Sequence, residues 1–285
     1  MALQVHSQFE FRFLPDEQAT IIDASGVDSE RIATDESNAT YRAFRRLFET
    51  LGKPAPKIHI TSRNGIPVER GLGGSGAAIL GGLLAAAEWL NAGPDEPLNR
   101  DELLRVATEL DGHPDNVCPS LLGGLRAAAL DGETVHTLAI PCSEELRVVV
   151  AVPDLQVSTK KSRALLPSQV PTSDAVFNLG RLAILVAAFA TFEYSYLGIG
   201  MQDRLHQPYR GRLIPALDAV FDGAMQAGAS GVALSGSGPS VVAFCTHGAE
   251  SIGGAMQTAF AAGGVSADVL VTGIDFQGTA VDAHY

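Results

Sequence analysis

The sequence is poor in cysteine, in positive charge and in long apolar runs, and each shortage removes a class of function. Three cysteines in 285 residues, Cys118, Cys142 and Cys245, are too few and too scattered for a disulfide framework or a metal knuckle, and they suit a reducing cytosol. A formal net charge of -12, from 20 basic against 32 acidic residues, argues against a nucleic-acid partner, although a local basic pocket for a phosphate would survive it. The longest apolar run without a charge, residues 182–192, is about half the length a membrane span needs. No signal peptide opens the chain, and internal repeats, low-complexity tracts and a flexible linker are missing as well. The expectation is a cytoplasmic globular protein with no membrane partner, since 46% apolar and 18% charged residues over this length can bury a sizeable core.

What the chain does have is glycine in special places. Residues 66–89, IPVERGLGGSGAAILGGLLAAAEW, read as a glycine-rich turn running into a buried helix, with Gly71, Gly73, Gly74 and Gly76 around Ser75. Without Cβ atoms the backbone can take positive φ and bring consecutive N–H groups onto one anion, and a helix starting there adds the positive end of its dipole. That suits a phosphate. A tightly packed helix behind an ordinary glycine turn fits the local pattern equally well. A second glycine loop, Ser235-Gly236-Ser237-Gly238-Pro239-Ser240, lies between two short apolar runs, giving a strand, loop, strand arrangement. Two such loops far apart in sequence point to a nucleotide site more strongly than one.

The coarse pattern is mixed. Alternation predicts strands at residues 8–13 and 57–61, and the β-branched run LRVVVAV at 146–152 predicts a central strand. Helical spacing predicts helices over 35–51, 77–90, 99–110, 158–166, 175–196, 216–227 and 249–263, with a last strand at 268–274. Between helix and apolar segment sits Asp111-Gly112-His113-Pro114-Asp115-Asn116, a polar cluster that proline keeps on a bend. A composition shift near residues 141–145 marks a domain junction.

Three blocks together resemble the GHMP kinase superfamily: IPVERGLGGSGAA at 66–78, DGHPDNVCPSLLGG at 111–124 and LSGSGPSVVAF at 234–244. VPDLQVSTKKSRALLP at 152–167, DAVFNLGR at 174–181 and QDRLHQPYRGRLIP at 202–215 make the chain most similar to the homoserine kinase family. The resemblance implies an α+β protein in two parts. Residues 1–143 would form a domain resembling domain 2 of ribosomal protein S5, and 144–285 a ferredoxin-like domain. It also implies ATP and Mg2+ as cofactors, L-homoserine as substrate, and a homodimer as one option for assembly. Two features depart from the family. Its opening motif P-A-[ST]-[ST]-A-N-L-G-P-G-F-D is missing, and MALQVHSQFEF resembles the segment on the C-terminal side of that motif, so a longer reading frame is expected. The usual G-L-G-S-S-A reads Gly71-Leu72-Gly73-Gly74-Ser75-Gly76 here. Another small-alcohol kinase of the superfamily, or a silent nucleotide-binding relative, would share these blocks.

Carried over residue by residue, the resemblance assigns phosphate binding to Pro67, Gly71, Leu72, Gly73, Gly74, Ser75 and Gly76. Ser235, Gly236, Ser237 and Gly238 would close over the phosphates or support the first loop, unless they are a purely structural turn. Ser75 and Asp111 would face the metal, with Glu109 the rival carboxylate and a plain helix-end acid the alternative. His113, Asp115, Thr159, Arg163 and Arg210 form the implied substrate set, in which the arginines' forked donors suit a carboxylate. Lone arginines are more often surface residues, and His113 also suits helix-end packing. Asp115 would hold the ammonium or orient the hydroxyl, and Asn116 would stabilise the transferring phosphoryl group. Whether Asp115 or the γ-phosphate takes the hydroxyl proton stays open. Asp203 and His206 would brace Arg210.

Overall fold

The computed structural model describes residues 1–91, 99–157, 162 and 164–283. The chain forms two compact units, one of Met1–Val68, Gly73–Ala139 and Asp275–Tyr285, the other of Glu69–Leu72 and Ile140–Ile274.

In the first unit, β1 (Gln8–Leu14) pairs antiparallel and β2 (Ile21–Gly26) pairs parallel with β3 (Lys57–Asn64), which is the middle strand. Phe11 and Ile22 both sit opposite Ile60, so the apolar positions of all three strands fall in register on one face. Against it pack α1 (Ala39–Thr50) and α2 (Gly74–Asn91), burying Phe44, Leu47, Ile58, Leu80 and Leu83 completely or nearly so. Each such side chain stabilises the fold by roughly 1.5–3 kcal/mol. The two helices approach so closely that a Cβ at Gly82 would lie 2.0 Å from the Thr40 carbonyl oxygen, which is why small residues crowd this helix. Next along the chain come α3 (Arg100–Asp111), α4 (Pro114–Leu122) and the two-stranded sheet β4 (Leu125–Asp131) and β5 (Thr134–Ile140).

The second unit holds β6 (Arg147–Pro153), α5 (Thr172–Ala190), α6 (Leu217–Gln226), β7 (Gly231–Leu234), β8 (Val241–Cys245), α7 (Ala249–Ala262) and β9 (Ala267–Thr272). Its antiparallel sheet runs β7-β8-β6-β9. That strand order, with helices between the strands in sequence, is ferredoxin-like. Val149, Ala151, Val241 and Ala243 meet Val220, Ile252, Met256 and Phe260 of α6 and α7 in one core. The uninterrupted β-branched run is thus explained: β6 lies inside the sheet with its residues buried on both faces.

Several elements differ from expectation. The first helix starts at Ala39 rather than near residue 35, because the Asn38 side chain caps it by accepting the Tyr41 N–H at 3.0 Å, while Asp35 caps its own turn through Ser37. The helix expected to reach residue 196 ends at Ala190, and Phe192 takes a left-handed φ of 61°. Strand β2 and the β4–β5 pair had no matching expectation. The residues 92–94 read as a helix stop, and most of the short helix expected over 158–166, lie outside the described residues.

Candidate active site

The first cluster grows from two helix starts. Gly73, with φ of 77°, accepts the Ala77 N–H at 3.1 Å and so caps α2, leaving Gly74, Ser75 and Gly76 in its first turn, where N–H groups have no partner within the helix. Upstream, Val68 is pinned by its N–H donating to Asp28 Oδ2 at 2.8 Å, which fixes where the chain enters the turn. The second start is α4. Gly112 ends α3 in left-handed geometry, His113 is extended, and Pro114 opens α4, so the expected bend is a two-residue corner. Asp115 and Asn116 therefore occupy the first turn of α4. Asn116 lies against the glycine turn: a Cβ at Gly73 would be 3.7 Å from its Oδ1, and one at Gly76 would be 3.4 Å from its Cβ. Two positive helix ends thus meet, an arrangement suited to an anion.

Around them stand the acids. Asp111 has a side chain only 8% exposed, and its Oδ2 lies 3.6 Å from His113 Nδ1; the exposed Asp115 puts Oδ1 at 3.1 Å from the same nitrogen. Glu109 is held elsewhere, by Arg46 and, at 3.8 Å, by Arg105. Ser75 is exposed at the helix end.

The second cluster belongs to the other unit. Gly71, φ 75°, is packed so tightly on the second glycine loop that a Cβ there would lie 2.2 Å from the Ser235 carbonyl oxygen. Ser235 Oγ donates to the Gly71 carbonyl at 2.8 Å, and Ser240 N donates to the Arg70 carbonyl at 3.4 Å. Within this unit the second loop therefore holds Arg70 and Gly71 directly. Ser237 receives a further bond on its carbonyl from the buried Ser162 hydroxyl at 2.9 Å. Gly236 and Gly238 both have positive φ.

Arg210 ends a short helical turn, Gln207–Arg210, and its Nη1 donates to the Gly236 carbonyl at 3.3 Å. The turn is organised by Asp203, whose carboxylate accepts from the N–H groups of Leu205, His206 and Gln207 and from Asn178 Nδ2 at 2.6 Å. Burial alone would raise the Asp203 pKa, but these bonds outweigh it and hold it below the usual carboxylate value. His206 is pushed down, first by burial, with Asp203 opposing and Arg210 assisting. Gln207 then ties the turn to β7, accepting the Leu234 N–H at 2.8 Å. Two sequence blocks that looked separate are one structure: Asp174 and Asn178 bind Arg204, Arg181 binds Gln202, and the guanidinium groups of Arg181 and Arg204 both lie over the Phe177 ring, at 4.3 and 3.9 Å from its centre.

Of the residues singled out in the sequence, Pro67, Gly73, Gly74, Ser75, Gly76, Asp111, His113, Asp115 and Asn116 belong to the first unit, and Gly71, Leu72, Arg210 and Ser235 to Gly238 to the second. Thr159 and Arg163 lie outside the described residues. Sequence reasoning missed Arg70, a buried guanidinium bonded to Asp154 at 3.3 Å, and Ser162. A charge directly before a glycine turn was the signal for Arg70; nothing local marks Ser162.

Comparison with known proteins places this architecture. Residues 38–124 match the GHMP kinases N terminal domain and 185–262 the GHMP kinases C terminal domain. Homoserine kinase of Carboxydothermus hydrogenoformans is 45% identical over 95% of this chain and 87% of its own length, and that of Gloeobacter violaceus 46% over 87% and 81%. The crystal structure of homoserine kinase from Cytophaga hutchinsonii superposes with a TM-score of 0.83 at 32% identity, covering 95% of this chain and 87% of that one. L. major mevalonate kinase shares the fold at a TM-score of 0.69 and 14% identity, covering 98% of this chain and 89% of that one. The chain belongs to the homoserine kinases of the GHMP kinase superfamily.

Proposed function

We propose that the protein is an ATP-dependent homoserine kinase that transfers the γ-phosphoryl group to the hydroxyl of L-homoserine, giving O-phospho-L-homoserine and ADP on the route to threonine. The observation that carries this reading is the meeting of the glycine turn with Asn116 at two helix starts, in a chain 45% identical to a homoserine kinase. Phosphoryl transfer asks little covalent work of a protein; it needs held phosphates, charge stabilisation and an aligned acceptor. N–H groups of the turn from Gly71 through Leu72 to Gly76 hold the phosphates, with Pro67 at its entrance. Asn116 donates to the transferring group.

Magnesium suits Ser75 and Asp111. The donors are oxygen only, and among the described residues no group of three His, Cys, Asp or Glu could hold a metal ion by itself, which fits an ion that keeps its waters and binds mainly through nucleotide phosphates. When bound it neutralises phosphate charge. Asp111 is favoured over Glu109 because Arg46 and Arg105 already occupy the latter. Asp115, oriented by His113, binds the ammonium or the hydroxyl of the acceptor. Arg210, braced by Asp203 and His206, is assigned to the substrate carboxylate on family resemblance. Thr159 and Arg163 join this set on family resemblance alone. The three cysteines are free thiols, consistent with a cytosolic enzyme.

The test is ADP release with ATP, magnesium and L-homoserine, against a no-acceptor control and a panel of other small alcohols. Acceptor-dependent turnover with L-homoserine preferred is expected. Preference for another alcohol would overturn the substrate assignment, and nucleotide binding without turnover would overturn the activity.

A further inference from the structure

The glycine turn is entered through Glu69-Arg70, which with Gly71 and Leu72 belongs to the second unit. Glu69 and Gly71 both take left-handed φ, 56° and 75°, so Arg70 stands between two residues that no helix or strand ladder holds. Its place is therefore fixed from outside. Ser240 N donates to its carbonyl at 3.4 Å, and Ser235 Oγ donates to the Gly71 carbonyl at 2.8 Å. Its side chain makes a third tie, Nη2 donating to Asp154 Oδ1 at 3.3 Å. Asp154 is a firm anchor: it directly follows β6, and its own N–H donates at 2.7 Å to the carbonyl of Ser266, the residue before β9. The ion pair is lopsided, with the Arg70 side chain 8% exposed and that of Asp154 85%. Among the described residues the buried Nη1 has no hydrogen-bond partner. A guanidinium taken out of water for one bond to a hydrated acid costs the fold more than it returns, and an apolar side chain of similar volume would avoid that cost. Stability does not account for the charge.

We propose that Arg70 is a positioning residue for the nucleotide, a role that rests on the kinase reading of the glycine turn: anchored on Asp154, its guanidinium holds Gly71 and Leu72 in the conformation in which the turn binds phosphate. The bonds from Ser235 and Ser240 both come from the β7–β8 loop, and two ties to one loop leave the turn free to tilt about it. Asp154 belongs to a different strand end of the same sheet, so the third tie removes that freedom. Arg70 thus acts through the backbone of the residues that follow it, and the effect of losing it falls on the phosphates rather than on the acceptor.

Calorimetric titration with a non-hydrolysable ATP analogue and magnesium, without acceptor, tests this role apart from turnover. Arg70→Met keeps most of the bulk and drops the charge. It is expected to raise the Kd about tenfold, the worth of one charge-assisted hydrogen bond, without lowering Tm, because Asp154 is left in water and no charge is left buried. Arg70→Lys keeps the charge and one bond and should bring the Kd back to within about threefold of wild type. Asp154→Asn should raise the Kd about fivefold alone and add nothing in the Arg70→Met background, as two residues acting as one unit do. Since Asp154 is exposed, that single variant carries the test even if Arg70→Met fails to fold. An unchanged Kd in Arg70→Met or in Asp154→Asn, no better affinity with lysine than with methionine, or additive losses in the double variant would each overturn the role of Arg70 and leave the kinase reading standing. Wild type that binds the analogue but phosphorylates no acceptor, with the variants still weakened, would overturn the kinase reading and leave the role of Arg70 standing. Wild type that binds no nucleotide would overturn both.

Discussion

The two clusters are built by opposite means. In the first unit, the groups proposed to bind phosphate are main-chain N–H donors, placed by the first turns of two helices and by glycines that admit close approach. In the second, Arg210 is a side chain at the end of a relay from Asn178 to Asp203, to the turn N–H groups, to Gln207 and β7, and to the loop that supports Gly71. The first depends on backbone shape and should fail when a Cβ is added or a charge removed. The second depends on distant side chains and should fail gradually, affecting the acceptor before the nucleotide.

The largest break is expected at Asp111. Asp111→Asn should lower kcat by roughly 10²–10³-fold, as loss of a charge acting on the transferring group does, while Glu109→Gln stays near wild type. Steady-state assays across magnesium concentrations check this, and an equal loss in both variants would show that Asp111 is not the ligand. Next comes Gly71→Ala, whose methyl must displace the Ser235 carbonyl. Misplacing the turn by an ångström should cut kcat/KM for ATP by about 100-fold, whereas Gly132→Ala, also at positive φ but in the open β4–β5 turn, should leave kinetics unchanged.

A smaller, selective effect is expected from Asp203→Ala. It strands several part-buried donors, those of the Arg210 turn and Asn178 on α5, at up to ~1–3 kcal/mol each, so KM for homoserine should rise about tenfold with KM for ATP unmoved. The smallest effect concerns pH. The folded-state pKa of His206 is depressed, so the unfolded chain takes up that proton first. Its contribution to stability is complete above the unfolded value of about 6.5 and is lost as pH falls from there towards the folded value. Tm should therefore decline on mild acidification, and His206→Asn should flatten the decline.

Much of this was legible in the sequence, unevenly. Helix α3 announced both its ends, with Asn99 capping Glu102 and Gly112 stopping it, because capping is local chemistry. Strand β6 announced itself by burial on both faces. Strand β2 did not, since IIDASG carries little alternation and is fixed by pairing with β3 across a helix. The glycine turn and the H-P-D-N corner could be read singly, but that Asn116 lies against Gly73 and Gly76 is a tertiary fact. The same holds for Arg70 and Ser162, whose partners lie about 80 residues away in sequence. Helix α5 shows in the sequence as a helix, but which side faces solvent depends on what Asn178 and Arg181 hold on the other.

The division of labour between the clusters is tested most directly by Arg210→Ala, assayed for KM of both substrates. Loss of the forked donor should raise KM for L-homoserine by ~30–100-fold and leave KM for ATP within about twofold. Equal shifts in both constants, or none in that for homoserine, would contradict the assignment of the acceptor's carboxylate to Arg210 in the second cluster.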